Sequence, residues 1–309
     1  MSDQLSAISL LDTSVSREDW DAAMRRGDFA AAWQICDRLV AAHAPGERCW
    51  HLPRHEQWVW DGRPLAGRRV LVHCYHGLGD TIQFARFLPL LDTLTRETIV
   101  WAQPSLVGLL QTLPGRPRRI LPLHDGDPGV DRDVDVEIME LAHVLRVTPE
   151  TLAAGVPYFD VPPGPRLSEK FSIGLVAEAG DWDSRRSVPA DLLLDRAFAE
   201  PRLALFNLQV ERPLPGLPDL STPDVLLLAS RMRSLDLVIT PDTMLAHLAG
   251  ALAVPTWTLL PAGADWRWMQ ADRADSPWYL TMRLIRQSRP GEWQPVVDEV
   301  WRRLRLVDA

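Results

Sequence analysis

The sequence has little lysine and little cysteine. Lys170 is the one lysine among 309 residues, so a cationic contact to phosphate must come from arginine or histidine, or be replaced by backbone amides. The three cysteines, Cys36, Cys49 and Cys74, form no CxxC pair and no zinc-like spacing. Such a sparse, odd set is typical of a reducing compartment and argues against a zinc site built on cysteine.

Long hydrophobic runs are also missing. No stretch reaches the roughly 18 apolar residues that a membrane helix needs. The first residues, MSDQLSAISLLDTSVSRED, have no basic region and only a short apolar run, so we expect no signal peptide. The formal net charge of -8 argues against a nucleic-acid partner, which would require a basic face. Together these absences predict a cytoplasmic protein with no transmembrane segment and no nucleic-acid partner.

Strand and helix patterns alternate along most of the chain. Between residues 17 and 43 apolar residues recur every three and four positions, with a break at Gly27, which predicts a helical hairpin. The hairpin is similar to one degenerate tetratricopeptide-type repeat, which cannot bury its own apolar face, so we expect it to pack on the part of the chain that comes after it. Two series of strand and helix patterns come next, separated by the Pro- and Gly-rich segment 159–169, which predicts a linker. The expected fold class is α/β, with two Rossmann-like parallel-sheet domains facing a cleft.

The domain boundaries are predicted from the same patterns. Residues 1–57 hold the hairpin and a connector, residues 58–165 a first sheet domain, and residues 166–309 a second one. The helix pattern that closes the chain is a candidate for packing back on the first sheet domain.

A glycine turn is the first motif that carries chemistry: Gly77-Leu78-Gly79-Asp80-Thr81, between a strand pattern and a helix pattern. Glycines permit a tight turn and a close approach of a ligand to the backbone. Amides at the helix N-terminus suit an anion or a polar sugar. Asp80 therefore has two interpretations, a helix-capping residue or a functional carboxylate. The turn is not a full GxGxxG fingerprint, which argues against a dinucleotide-dependent oxidoreductase.

A second motif occupies residues 236–250, where a buried-strand pattern runs into a helix. Thr243 and His247 are four residues apart and share a helix face. Amides near Thr243 and Met244 could hold a diphosphate, with His247 as a further donor. The alternative is that Asp242 caps the helix and His247 is packed in the core.

Two loops complete the set. Arg185 and Arg186 follow the first strand pattern of the second domain, where paired arginines can clamp phosphate, but a solvated charge pair looks the same in sequence. The loop containing Asp265 and Trp266 combines acids with aromatics. That composition suits stacking against a sugar, and it equally suits a packed loop.

Taken in order, these motifs resemble those of the glycosyltransferase family 9-like proteins. The matching segments are WDGRPLAGRRVLVH with GLGDTIQFARFLPLL, then RRSVP, then DLVITPDTMLAHLAGAL, then DWRWM with DSPWY and TMRLIRQ. They span roughly residues 58–305. The family includes relatives of the ADP-heptose lipopolysaccharide heptosyltransferases and is often fused to tetratricopeptide repeats, of which the hairpin resembles a stub.

The resemblance implies a GT-B fold and a bacterial glycosyltransferase of lipopolysaccharide biosynthesis. It implies transfer with inversion at the sugar, with no metal and no other cofactor. The donor would be a nucleotide-diphosphate sugar, ADP-heptose by preference, on the second domain. The acceptor, a glycan or a protein, would bind the first domain. The resemblance does not determine the nucleotide base of the donor, the sugar that is transferred or the identity of the acceptor.

The resemblance also implies roles for single residues. Asp80 corresponds to the proposed general base, which takes the proton of the acceptor hydroxyl. Asp242 is expected to meet sugar hydroxyls because a carboxylate repels phosphate, whereas amides and His247 stabilise the departing diphosphate. The implied donor-site residues are Asp242, Thr243, Met244, His247, Arg185 and Arg186. The implied acceptor or sugar contacts are Gly77, Gly79, Gln83, Asp265 and Trp266.

Two segments depart from the family pattern. Relatives commonly carry Glu-Gln before the glycine turn, where this chain has Tyr75-His76. Relatives often carry Trp-Ala-Gly-Asn after the first strand of the second domain, where residues 177–181 read Ala-Glu-Ala-Gly-Asp. The first departure affects acceptor contacts and the second affects donor identity. The alternative function is a non-catalytic GT-B scaffold that binds a nucleotide, or binds a protein partner through the hairpin.

Overall fold

The computed structural model describes residues 17–42, 52–152, 155–180 and 183–307. The N-terminal segment 1–16, Cys49 and Asp181 lie outside the described residues. The chain divides after Gly155 into two compact units. Within the described residues, no helix has the length and apolar character needed to cross a membrane.

The first unit begins with the predicted helical hairpin, formed by α1 (Arg17–Arg26) and α2 (Phe29–Ala42), which pack on each other. Gly27 makes the turn with a φ of +75°, a left-handed conformation that favours glycine. The Trp33 indole N–H donates to the Val147 carbonyl at 2.7 Å. The hairpin therefore packs on residues of the same unit, as expected.

A parallel sheet of four strands forms the centre of the first unit. Its strands are β1 (Arg69–His73), β2 (Glu97–Ala102), β3 (Arg119–Pro122) and β4 (Val134–Glu137), in the spatial order β3-β2-β1-β4. Its helices are α3 (Leu78–Phe84), α4 (Leu88–Leu94), α5 (Val107–Leu110), α6 (Leu141–Val144) and α7 (Pro149–Leu152). Strands β1 and β2 are buried beyond their first residue, which explains why each reads as a continuous apolar run.

A parallel sheet of five strands forms the second unit. Its strands are β5 (Phe171–Leu175), β6 (Leu203–Asn207), β7 (Leu237–Pro241), β8 (Thr256–Leu260) and β9 (Met282–Arg286), in the order β6-β5-β7-β8-β9. Its helices are α8 (Ala190–Leu194), α9 (Val225–Met232), α10 (Met244–Ala251) and α11 (Gln294–Leu304). All five residues of β7 are buried, and a short turn connects this strand to α10.

The closing helix α11 buries its apolar face in the core of the second unit. Val297, Val300 and Trp301 join a cluster that includes Ile173 of β5 and Ile239 of β7. The second unit also takes in the start of the Pro-rich segment that was predicted to be a linker. Phe159 and Val161 are buried there, and the preceding amide of Tyr158 donates to the Ala251 carbonyl at 3.1 Å.

Gly174 of β5 gives the fold its first testable prediction. A Cβ at this position would lie 2.4 Å from Leu208 Cδ1 and 2.7 Å from Leu235 Cδ1, and both leucines are buried. We expect Gly174→Ala to lower the free energy of unfolding by about 1–3 kcal/mol through overpacking. Gly263→Ala is the matched control, because a Cβ there meets nothing within 4 Å. Equal urea midpoints for the two variants would contradict the packing of β5.

Candidate functional site

Each sheet has one point where its strand order reverses. In the first unit β1 lies between β2 and β4, and in the second unit β5 lies between β6 and β7. In open parallel sheets, the loops leaving the carboxyl ends of strands diverge at such a point and leave a crevice for ligands. The glycine turn follows β1, the arginine loop follows β5, and Asp242 follows β7. The predicted motifs therefore fall at the two switch points.

Asp80 is the third residue of α3, at the carboxyl edge of the first sheet. Its Oδ2 accepts the Gly77 N–H at 3.0 Å, so it does stabilise the helix start. Gly77 itself occupies the N-cap, which corrects the interpretation of Asp80 as the N-cap residue. Asp80 and Gly79 are partly exposed, whereas Gln83 is fully buried. The structure thus brings Gly77, Gly79 and Asp80 together at the edge and turns Gln83 inward.

Side chains from distant positions fix the segment that carries Asp80. The Gln103 amide donates to the His76 carbonyl at 2.7 Å, and its Oε1 accepts the Thr81 hydroxyl at 3.0 Å. His76 Nδ1 lies 3.0 Å from Glu137 Oε1, at the end of β4. Gln103 and Glu137 were not predicted from the sequence. The signal available for both was a polar residue at the carboxyl end of a strand pattern next to the switch point.

The His76–Glu137 pair is almost completely enclosed. The side chain of His76 is 2% exposed and that of Glu137 is 0% exposed. Burial lowers the pKa of His76, but the charge and hydrogen bond of Glu137, together with the charge of Asp80, outweigh it and raise that pKa above its ordinary value. Glu140 lies behind Glu137 and accepts its backbone N–H at 2.8 Å. Burial raises the pKa of Glu140 to about 7.

The side chain of Tyr75 belongs to a second polar network, while its backbone N–H donates to Glu137 Oε1 at 3.3 Å. Its hydroxyl lies 2.7 Å from His73 Nδ1, and His73 Nε2 lies 2.8 Å from Asp135 Oδ1. The Arg54 guanidinium stacks 5.2 Å from the centre of the Tyr75 ring. Burial raises the pKa of the Tyr75 phenol to about 12, so it stays protonated at neutral pH. The Tyr75-His76 departure is therefore accommodated by two polar networks that meet at Glu137.

In the second unit the two predicted arginines have different surroundings. Arg186 Nη1 donates to the Asp242 carbonyl at 2.9 Å and lies 3.8 Å from Asp242 Oδ2. The buried Nε of Arg186 has no hydrogen-bond partner among the residues that the structure describes. Arg185 instead forms a fork with Asp183, and its side chain is 85% exposed. Only Arg186 therefore belongs to the site around Asp242, and Arg185 is the solvated charge.

Asp242 and Thr243 form the turn between β7 and α10. Thr243 is the N-cap of α10, and its hydroxyl accepts the Leu245 N–H at 3.2 Å, so Met244 begins the helix. Asp242 is not the N-cap, which corrects that interpretation, and its side chain is 10% exposed. Burial raises the pKa of Asp242 to about 6, with a further contribution from Asp265. The Trp268 indole and two arginines, Arg186 and Arg267, oppose this shift.

His247 lies behind Asp242, one turn into α10. Its Nδ1 is 3.0 Å from the Tyr279 hydroxyl, its ring stacks on Trp268 at 5.4 Å, and its Nε2 is 3.9 Å from Asp242 Oδ1. The side chain is only 6% exposed. A Cβ at Gly250 would lie 2.4 Å from the Tyr279 ring, so glycine is required for this contact. Tyr279 lies in the DSPWY segment, whose aromatics suited either sugar stacking or a packed loop, and the structure shows it buried against His247. The requirement for glycine at position 250 was not predicted from the sequence.

Asp265 and Trp266 occupy a short 3-10 turn in the same unit. Asp265 Oδ1 accepts both the backbone N–H of Arg267, at 3.0 Å, and its Nη1, at 2.8 Å. Trp266 is buried, with the Arg267 guanidinium 4.8 Å above its ring and Trp278 at 6.0 Å. The charge of Asp265 is one cause of the raised pKa of Asp242, second to burial. Trp266 packs in the loop and offers no exposed ring.

No group of His, Cys, Asp and Glu side chains in the described part of the chain could hold a metal ion. No protein-family model matches the sequence, and no curated protein matches it.

Solved structures match the chain in fold. E. coli heptosyltransferase WaaC, solved with ADP-2-deoxy-2-fluoro heptose, is 11% identical and matches 77% of this chain and 99% of that chain with a TM-score of 0.51. WaaC with ADP is 12% identical, with 77% and 97% covered and a TM-score of 0.50. TibC, an iron-containing dodecameric glycosyltransferase from enterotoxigenic E. coli H10407, is 10% identical, with 78% of each chain covered and a TM-score of 0.50.

The fold is GT-B-like, as in these heptosyltransferases. The resemblance of the motifs predicted this fold, and the likeness in structure confirms it. At identities of 10–12% the likeness concerns the architecture, and function has to be argued from the residues at each site.

Asp242 supplies a prediction about stability and pH. The pKa of Asp242 is raised from its ordinary value of 3.8 to about 6 in the folded protein, so the folded state binds the proton of this carboxyl more tightly than the unfolded state does. The free energy of unfolding should therefore fall as pH rises from about 4 to about 6, by on the order of 2–3 kcal/mol from this group. Asp242→Asn should lose that slope and be more stable than the wild type above pH 6.

Asp183→Asn is the matched control for this measurement. Arg185 lowers the pKa of Asp183, so this substitution removes a group with the opposite pH dependence. Urea unfolding at pH 4.5 and pH 7.5 would test both variants. If the free energy of unfolding of Asp242→Asn depends on pH as it does in the wild type, the raised pKa assigned to Asp242 is wrong.

Proposed function

We propose that this chain is a glycosyltransferase that moves a sugar, heptose by preference, from a nucleotide-diphosphate donor to an acceptor hydroxyl. The observation that carries the proposal is the position of Arg186 beside Asp242 at the switch point of the second sheet. The family 9-like motifs and the heptosyltransferase fold support it. Inversion, independence of metals and ADP as the favoured nucleotide are proposed from the motif resemblance.

The donor diphosphate binds at the start of α10 in this proposal. First-turn amides of a helix carry partial positive charge, which suits an anion. Arg186 adds a full charge beside them, and its buried Nε is a donor unused within the described part of the chain. Asp242 accepts hydrogen bonds from the sugar hydroxyls. His247 acts through Asp242, because Tyr279 and Trp268 enclose its ring.

Asp80 is the general base in this proposal. Its carboxylate takes the proton of the acceptor hydroxyl while that oxygen forms a bond to the anomeric carbon. The bond from the anomeric carbon to the diphosphate oxygen breaks, and its electron pair leaves on the diphosphate. Positive groups at the start of α10 stabilise that charge. A single displacement of this kind inverts the anomeric configuration.

The acceptor is proposed to be a glycan or a protein side chain, and the place of action the cytoplasm. The sparse cysteine content supports that location.

Nucleotide binding gives the first test, read as a thermal shift. A ligand that binds only the folded state raises the midpoint, by an amount equal to about 2.7 kcal/mol at a hundredfold excess over Kd. We expect ADP to stabilise the wild type more than UDP, GDP or CDP. Arg186→Gln should weaken ADP binding by roughly 10- to 100-fold, the value of a charge-assisted hydrogen bond.

Arg185→Gln is the control, since this neighbouring arginine is bound to Asp183 and should leave ADP binding at the wild-type level. If no nucleotide shifts the thermal unfolding midpoint at millimolar concentration, the assignment of the donor site is wrong. The non-catalytic scaffold then becomes the leading function.

Asp80→Asn gives the second test, read as release of nucleotide from the donor. Loss of a general base should slow turnover by roughly 10²- to 10⁴-fold. The shift produced by ADP should be unchanged, because Asp80 belongs to the first unit and the donor site to the second. Asp131→Asn makes the same charge change on a side chain that is 96% exposed, and should keep wild-type turnover. Normal turnover in Asp80→Asn would remove Asp80 from the mechanism.

A further inference from the structure

We infer that the buried His76–Glu137 pair is a positioning device for Asp80, in which the His76 imidazolium keeps the Asp80 carboxylate ionised and fixed at the glycine turn. The inference rests on the proposed function, because it assigns a role beside the proposed base. It concerns a histidine at a position where the family pattern has glutamine.

The backbone connects His76 to Asp80. His76 is held at its ring by Glu137 Oε1 at 3.0 Å and at its carbonyl by the Gln103 amide at 2.7 Å. The next residue, Gly77, donates its N–H to Asp80. The position of Asp80 thus depends on a segment that is anchored through His76. Loss of the contact between His76 and Glu137 would remove the anchor at the ring, while Gln103 would still hold the His76 carbonyl.

Charge connects the same groups. The buried Glu137 carboxylate accepts the backbone N–H groups of Met139 at 2.6 Å and Tyr75 at 3.3 Å. His76 Nδ1 is its third contact, and a protonated His76 ring supplies the opposite charge that a buried carboxylate favours. The second ring nitrogen, Nε2, is also buried and has no hydrogen-bond partner among the described residues. A protonated ring that makes only one hydrogen bond leaves its remaining charge unpaired. Asp80 is the other acid whose charge reaches His76.

The charged groups around His76 determine whether its pKa is raised or lowered. Glu137 and Asp80 raise the pKa of His76, burial lowers it, and the net shift is upward. Glu140, which accepts the Glu137 N–H, is the next acid behind the pair. His76 therefore keeps its proton to a higher pH than an exposed histidine, and loses it as pH rises through the raised pKa. At the lower pH where a carboxylate titrates, His76 is charged and favours the ionised form of Asp80.

The test is an NMR titration of the imidazole ¹⁵N signals of the full chain, with His76→Gln to assign the His76 resonances. We expect His76 to titrate above its ordinary value of 6.5 in the wild type. Asp80→Asn should lower that midpoint by roughly half a unit or more, because an attractive charge is removed. Glu137→Gln should lower the His76 midpoint further, because the larger of the two attractive charges that oppose the effect of burial is then removed. Asp131→Asn should leave it unchanged. A midpoint that moves no more in Asp80→Asn than in Asp131→Asn would overturn the inference.

A second readout covers the case in which Asp80→Asn or Glu137→Gln does not fold. In His76→Gln, the acid limb of the pH profile of donor turnover should move to higher pH by roughly half a unit or more. If His76 has only a structural role, His76→Gln will lower turnover at every pH without moving the acid limb. That result would overturn the inference. If the wild type turns over no donor, the proposed function fails. The NMR titration still decides whether His76 and Asp80 are coupled.

Discussion

Each sheet reverses its strand order beside its first strand, and the loops that leave this point diverge. Elsewhere along the sheets, strands such as β7 are buried throughout, where a polar side chain is costly unless it is hydrogen-bonded. At the switch points Asp80 stays partly exposed, and Arg186 and Asp242 keep a share of exposed surface. The topology therefore determines where this chain can hold charged groups ready for a ligand.

Burial of these charges costs stability, and the structure offsets the cost in two ways. In the first unit, Glu137 is enclosed together with His76, and their hydrogen bond is joined by the backbone N–H groups of Met139 and Tyr75. In the second unit Asp242 is enclosed with Arg186 Nη1 3.8 Å from its Oδ2, and its raised pKa reflects the cost of burial that this contact does not offset. Arg186 contacts the Asp242 carbonyl as well as approaching its carboxylate, a geometry that suits the several donors of a guanidinium. A chain with almost no lysine meets its need for directed positive charge in this way.

The sequence predicted the elements that depend on local pattern. The alternation of strand and helix patterns predicted two parallel sheets, and the order of motifs indicated the GT-B-like fold. Local pattern could not separate Arg185 from Arg186, because the difference lies in contacts to Asp183 and Asp242. It could not show that Trp266 is buried.

The same limit applied to the partners of His76. Glu137 lies 61 residues away in the chain and meets His76 only because β4 pairs with β1. The helix caps were also shifted from their predicted positions, to Gly77 and Thr243, since several polar residues compete for the cap within one turn.

The central claim is transfer of a sugar by a single displacement. The most direct measurement is ¹H NMR of the anomeric proton during incubation of the wild type with a lipopolysaccharide-core glycan as acceptor and ADP-heptose as donor, with the UDP and GDP sugars as donors for comparison. The account predicts release of nucleotide together with a sugar product whose anomeric configuration is opposite to that of the donor. A product with retained configuration, or no turnover of any donor by a protein that binds its nucleotide, would contradict it.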